Sequence, residues 1–291
     1  MNTQTLILHC LQASILGTVF SYGLQATVSD ALFLVRHPGL LLRSVLAIFI
    51  IMPLVAIAMV DVFALPRATE IALVVLALAP IPPLLPKKES KAGGEGAYAL
   101  GLMVVMGMLA ILLVPLLAWM LGAYFDRDFG MPPKSIARII LVMIVLPLLA
   151  GMLVRIVAPA LARKLARPIE VASLVLLLAA AAPVLFAAMP IVVNLLHSGT
   201  LLAIVAFIMI GLAVGQLLAG AVAQRQTVLA LSTASRHPAI ALAIAKTNFP
   251  DEPFLAATIV LYLLVVTLLA IPYIKWRRRI ESPASESSAQ G

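Results

Sequence analysis

The residues best suited to chemistry sit together in one stretch, STASRHPAIALAIAKTNFP, running from Ser232 to Pro250. It sets an arginine, a histidine and a proline side by side (Arg236, His237, Pro238), with hydroxyls at Ser232, Thr233 and Ser235 just before them. A guanidinium can hold a carboxylate through two parallel bonds, where a lysine offers a point charge. An imidazole can load and release a proton near neutral pH, or serve more simply as a neutral hydrogen-bonding group. Hydroxyls beside a proline can bond the backbone groups that the proline leaves free. A second place is Pro86-Lys87-Lys88, where the lysines either reach an anion or are ordinary loop charge. The candidate substrate-binding residues are therefore Arg236, His237, Ser232, Ser235 and Lys87.

No catalytic residue or metal ligand is assigned. HExxH and GxSxG are absent, and the four histidines (His9, His37, His197, His237) are far apart in the chain. Neighbouring helical residues in 232–237 do not face one another, as a nucleophile and its base must. The single cysteine, Cys10, rules out an internal disulfide and a multi-cysteine metal site. The glycines of KAGGEG (Lys91–Gly96) lack the GxxxxGK[ST] spacing of a phosphate loop and read as a tight turn. Glu70 sits at a helix start, where negative charge is favoured, and Asp30 with Arg36 is expected to fix a loop. The reading is a non-enzyme without a cofactor.

The elements that must position these groups are oily. Of 291 residues, 63% are hydrophobic and 11% charged, whereas soluble domains are about half apolar and roughly a quarter charged. Mean hydropathy is +1.14. Runs such as Leu40–Val60, Leu100–Leu121, Ile139–Val154 and Leu201–Ala223 are nearly free of charge. Each is close to the ~20 residues that a helix needs to cross a bilayer. The expected class is an all-α membrane protein with about nine spans: 5–26, 39–63, 67–91, 93–123, 133–158, 166–194, 199–224, 226–248 and 252–276. Pro66, Pro132–Pro133, Pro168 and Pro253 fall near starts. Residues 1–280 read as one polytopic transmembrane domain and 281–291 as a disordered polar tail. The bilayer is the partner that this composition implies. The net charge of +8 marks cytoplasmic loops rather than a nucleic-acid surface.

Charge sets the orientation. With Lys275 and Arg277–Arg279 placed inside, alternate loops bring the inner count of lysine and arginine to fourteen, against five outside. A cytoplasmic membrane, an outer N-terminus and a cytoplasmic C-terminus follow. The twentieth basic residue, Arg236, falls inside a span. Two elements are interrupted. The third is apolar to Ala79 and then carries Pro80, Pro82, Pro83 and Pro86; the eighth breaks near Pro238. An interior proline removes a backbone bond and costs ~3 kcal/mol. Two broken spans, each followed by a continuous one, point to inverted repeats with the breaks at mid-membrane.

Four stretches resemble the bile acid:sodium symporter family, within the wider bile acid, arsenite and riboflavin transporter group. They are YGLQATVSDALFLVRHPG (Tyr22–Gly39), IFIIMP (Ile48–Pro53), LPRATEIALVVLALAP through KAGGEGAYALGL, and ALSTASRHPAIALAIAKTNF. The chain looks like a divergent bacterial-type member that starts at the second of the family's ten spans. The resemblance implies a panel (about 5–63 and 133–194) and a core (about 67–123 and 199–276), two broken helices crossing at mid-membrane, symport by alternating access, and an organic anion driven by sodium. The family's sodium-ligand positions fall on Ile48, Leu85, Pro86, Ala99, Met103, Ser232, Arg236 and His237. Most are carbon or cation here, and two unit charges ~4 Å apart interact by ~4 kcal/mol at an effective dielectric of 20. Coupling through these positions is not expected; a proton is the alternative.

A charge within a span costs ~2.5–3.5 kcal/mol on insertion scales, so Arg236 is expected to have a purpose. It either stands in for the sodium and meets the substrate, or satisfies unwound carbonyls. The competing functions are a non-transporting sensor or scaffold of the same fold, and, further off, an intramembrane enzyme. A sensor would want a soluble output domain, and an arsenite extruder a mid-membrane cysteine; neither is seen.

Overall fold

The computed structural model describes residues 3–82, 85–125, 133–195 and 199–287, and among them it is helical with no strand. The first helix is α1, Thr3–Gln25, followed by the short turns α2, Val28–Ala31, and α3, Phe33–Arg36. Next comes α4, Pro38–Val62, which is long and apolar enough to cross a membrane. Pro53 explains its irregularity. A helical proline has no N–H and crowds the preceding turn, and the strain is absorbed by a π-turn over Leu46–Ile51. The same solution recurs in α8 (133–157), where a π-turn at Leu141–Val145 precedes Pro147.

The first broken element comprises α5, Arg67–Leu78, and α6, Leu85–Lys91. Ala79 is extended, the conformation that a following proline favours. Pro80 and Pro82 lie in the break, Pro86 is the second residue of α6, and Pro83 is outside the described residues. Gly93, with φ +88°, turns the chain, and the amide of Gly94 donates to the Glu89 carbonyl at 2.9 Å. The membrane-length helix α7, Gly96–Tyr124, follows.

Helix α9, Pro159–Leu195, starts earlier than the expected 166. Ala158 leaves the helical region (φ −136°, ψ 69°), Pro159 suits a first turn, and ALARKLA is rich in helix formers. Pro168 is consequently interior rather than near a start. After α10, Thr200–Leu218, the second broken element is α11, Ala223–Ala234, and α12, Pro238–Asn248. The last helix, α13, Leu255–Ser287, continues through 281–287, where a disordered tail is expected; Glu and Ala extend a helix already begun at little cost. Residues 288–291 lie outside the described ones.

Two packing clusters can be followed, joined where α8 meets α7 and α9 meets α13. Helix α1 lies along α8 and α9. Gly23 and Gly151 permit this, since a Cβ on Gly151 would sit 2.8 Å from both the Gly23 Cα and the Leu24 N. Helices α4 to α7 and α10 to α13 share one large apolar core around Ile48, Leu76, Tyr98, Phe207 and Tyr262. Helix α4, grouped with 5–26 in the sequence-based panel, thus packs on α5 and α10 instead. Met103 of α7 bridges to the smaller cluster of Val19, Tyr22, Leu148 and Met152.

Candidate functional site at the crossing of two broken helices

The two breaks meet. The N–H of His237 donates to the carbonyl of Pro80 at 2.8 Å, backbone to backbone. On one side of this contact α5 packs against α12, and on the other α6 packs against α11. Each break follows from its proline. Ser235 is extended (φ −102°, ψ 131°), His237 is extended at the N-cap, and Pro238 opens α12, the position where its missing N–H matters least. The His237 ring accepts from the Ile240 amide at its Nδ1, 3.4 Å away. The last-turn carbonyl of Ala234 accepts from the Tyr262 hydroxyl at 2.7 Å, and Thr233 donates to Leu229.

Arg236 is 1% exposed. Its Nη2 donates to the Ile48 carbonyl at 3.1 Å, and the π-turn shows why that oxygen is available. Met52 donates to Ala47, one residue beyond the α register, and Pro53 has no N–H to give. The carbonyl of Ile48 is left to a side chain. Among the described residues, Nε and Nη1 of Arg236 have no hydrogen-bond acceptor. A buried guanidinium with two idle nitrogens is unusual, because buried polar groups are nearly always paired.

Of the other sequence-predicted residues, Ser232 is 1% exposed and Ser235 and His237 are buried. All flank Arg236 at the second break. The side chain of Lys87 lies outside the described residues, while α6, which carries it, packs against α11. The expected pairing of Asp30 with Arg36 is not made. Asp30 instead completes a capping box with Thr27, accepting at 2.6 Å from the hydroxyl, and Arg36 donates to Ser29; a carboxylate three residues past a threonine has a nearer partner.

One residue was overlooked by the sequence reading. Glu89 of α6 is 1% exposed, and its Oε1 accepts from the Ser232 hydroxyl across the crossing at 2.6 Å. The signal was available: 67–91 counts as a span, and Glu89 is the acid nearest its prolines at the C-terminal side. Close by, the Tyr98 hydroxyl and Ser44 are bonded at 2.8 Å, and Ser44 donates to Leu40.

The adjoining end of the bundle is held by cations. Arg225 donates to Glu95 at 2.8 Å, Arg277 donates to Thr227 at 2.7 Å, and Arg278 donates to the carbonyl of Lys91. A cavity of about 400 Å³ lies elsewhere, at the start of α5, lined by Val60, Arg67, Glu70, Phe125 and Phe249 among others. None of the predicted site residues lines it. Among the described residues no cluster of three or more histidine, cysteine or acidic side chains is placed to hold a metal ion.

Residues 14–195 match the sodium bile acid symporter family, well over half of the chain. The chain belongs to that family. Its members are transporters, which together with the four apolar membrane-length helices among the described residues makes this a multi-pass membrane protein of a transport family. The matched region contains the first broken element and ends before the second. No curated protein is similar enough to the chain to be matched.

Proposed function

We propose that the protein is a secondary active transporter that carries a small organic anion through the crossing, with Arg236 as a fixed positive charge where the family holds a mobile sodium ion. One observation carries the reading: a fully buried guanidinium spends one nitrogen on the Ile48 carbonyl and keeps two without an acceptor among the described residues. An anion reaching the opened crossing would complete them. The residues at the family's sodium positions support the same view. Ile48, Leu85, Ala99 and Met103 are buried carbon or sulfur, which are poor ligands for a hard cation that takes oxygen.

In this reading the chain has nine spans, and α5–α6–α7 and α11–α12–α13 are inverted repeats. The unit of α1, α8 and α9 moves against the rest, with α4 on the core side. The cationic end formed by Arg225, Arg277 and Arg278 faces the cytoplasm and the N-terminus lies outside, in keeping with the positive-inside bias. Lys87 adds positive charge on the cytoplasmic side of the first break.

The bond to Ile48 also favours a second reading, in which Arg236 only satisfies backbone. Uptake of a panel of bile acids and small carboxylates into proteoliposomes, under sodium, potassium or pH gradients, separates them. The transport reading expects uptake of at least one anion that does not rise steeply with sodium. Sodium-driven uptake would overturn the role given to Arg236.

A further inference from the structure

We propose that Glu89 is the proton-binding coupling group of this transporter, so that one proton crosses with each organic anion. This rests on the transport reading above and supplies its driving ion. The carboxyl group sits on α6, in the half-helix that packs against α11, and it reaches over to the Ser232 hydroxyl at 2.6 Å. At 1% exposure it has little water to solvate a charge. An ionised carboxylate in such a place is strongly unfavourable unless it is paired and hydrogen-bonded.

Among the described residues Glu89 makes no ion pair. The ionisable groups on and around α6 are engaged elsewhere or lack a bond to it. Among its packing neighbours, Arg225 is committed to Glu95, and Tyr98 is bonded to Ser44. From α13, Arg278 bonds the Lys91 carbonyl and Arg277 bonds Thr227. On α6 itself, Lys88 and Lys91 make no ion pair with Glu89, and Lys87 has its side chain outside the described residues. Arg236 bonds Ile48 instead. A proton is the one cation small enough to neutralise the carboxyl where it stands. A metal ion would need several oxygens around it, and the oxygen that Glu89 meets here is a hydroxyl donating toward it.

Charge balance then couples the two loads. The resting form holds its proton and waits for the anion; on the return step, once the proton has left to water on the far side, the crossing contains Arg236 positive and Glu89 negative. Fully loaded, it contains Arg236 positive, the anion negative and Glu89 neutral. Both states carry zero net charge, whereas the anion alone or the proton alone leaves one uncompensated charge in the low-dielectric interior. Passage is easiest for the two balanced states. The proton enters on the Glu89 carboxyl from one side and leaves to the other with the anion, with no other bond made or broken.

The test has two arms. Infrared spectra of the purified protein in lipid should show the carbonyl stretch of a protonated carboxylic acid at neutral pH, fading as pH rises. The band should be lost in Glu89→Gln and kept in Glu170→Gln. In proteoliposomes, an accepted carboxylate should accumulate by about tenfold per unit of inward pH difference, and Glu89→Gln should fall to the level reached without a gradient. Absence of the band in the wild type, or accumulation unchanged in Glu89→Gln, overturns the proposal. If Glu89→Gln fails to fold, the wild-type pH titration and Glu89→Asp decide, since the band must persist in the aspartate variant with a displaced titration. If no carboxylate enters at all, the transport reading falls and the coupling role with it; the band still reports whether Glu89 binds a proton.

Discussion

Arg236 is the residue on which the anion reading turns, and its substitution separates charge from shape. Arg236→Gln keeps a donor for the Ile48 carbonyl while removing the cation. A hydrogen bond to a charged group is worth about 1.5–3 kcal/mol, roughly a ten- to hundredfold loss in affinity. Uptake titrations should show that loss, with the thermal unfolding of the variant close to wild type. Arg236→Lys should recover part of the binding, because charge returns without the planar fork. A purely structural arginine predicts the reverse pattern: unchanged affinity and a lower unfolding temperature.

The elements hold the site by leaving backbone groups deliberately unmatched. In α4 the π-turn and Pro53 together strip the Ile48 carbonyl of an intrahelical donor. Pro53→Ala should restore one, in the π register, and compete with Arg236 for the oxygen. Hydrogen exchange should then slow in a peptide covering 46–57 and quicken in one covering 232–240. Close approach matters as much on the other side of α11. A Cβ on Gly215 would lie 2.5 Å from the Ala230 Cα, so Gly215→Val should force α10 and α11 apart and cost about 1–3 kcal/mol, visible as a fall in the unfolding temperature. The breaks themselves were legible in the sequence, since proline disfavours the helical conformation just before it; Ala79 before Pro80 and His237 before Pro238 are extended for that reason. The bond from Arg236 to Ile48 was not legible, because a π-turn depends on which carbonyl a tertiary neighbour claims. Glu89 was missed for a related cause: beside three lysines it resembles solvated loop charge, and only the packing of α6 on α11 buries it.

At the scale of the molecule, the membrane class and the family were readable from composition and from four motifs, and the family match agrees over residues 14–195. Where α4 packs was not readable, because an apolar helix offers the same surface to either neighbour until the partners are known. The orientation proposed for the chain has its own check. In a Cys10→Ser background, a cysteine at position 2 should react with an impermeant maleimide added to intact cells. One at position 290 should react only after the cells are opened; the opposite pattern would invert the assignment of sides.

The link between His237 and Pro80 joins main chain to main chain. Every amino acid except proline brings the same amide to position 237, and any amino acid brings the same oxygen to position 80. The joint at the heart of the fold is therefore blind to side-chain identity. Ligand chemistry around it can be rewritten, oxygen for carbon or neutral for cationic, while the architecture stays as it was. An engineer seeking a new cargo can vary the side chains around it, and the joint itself carries one prohibition, a proline at 237.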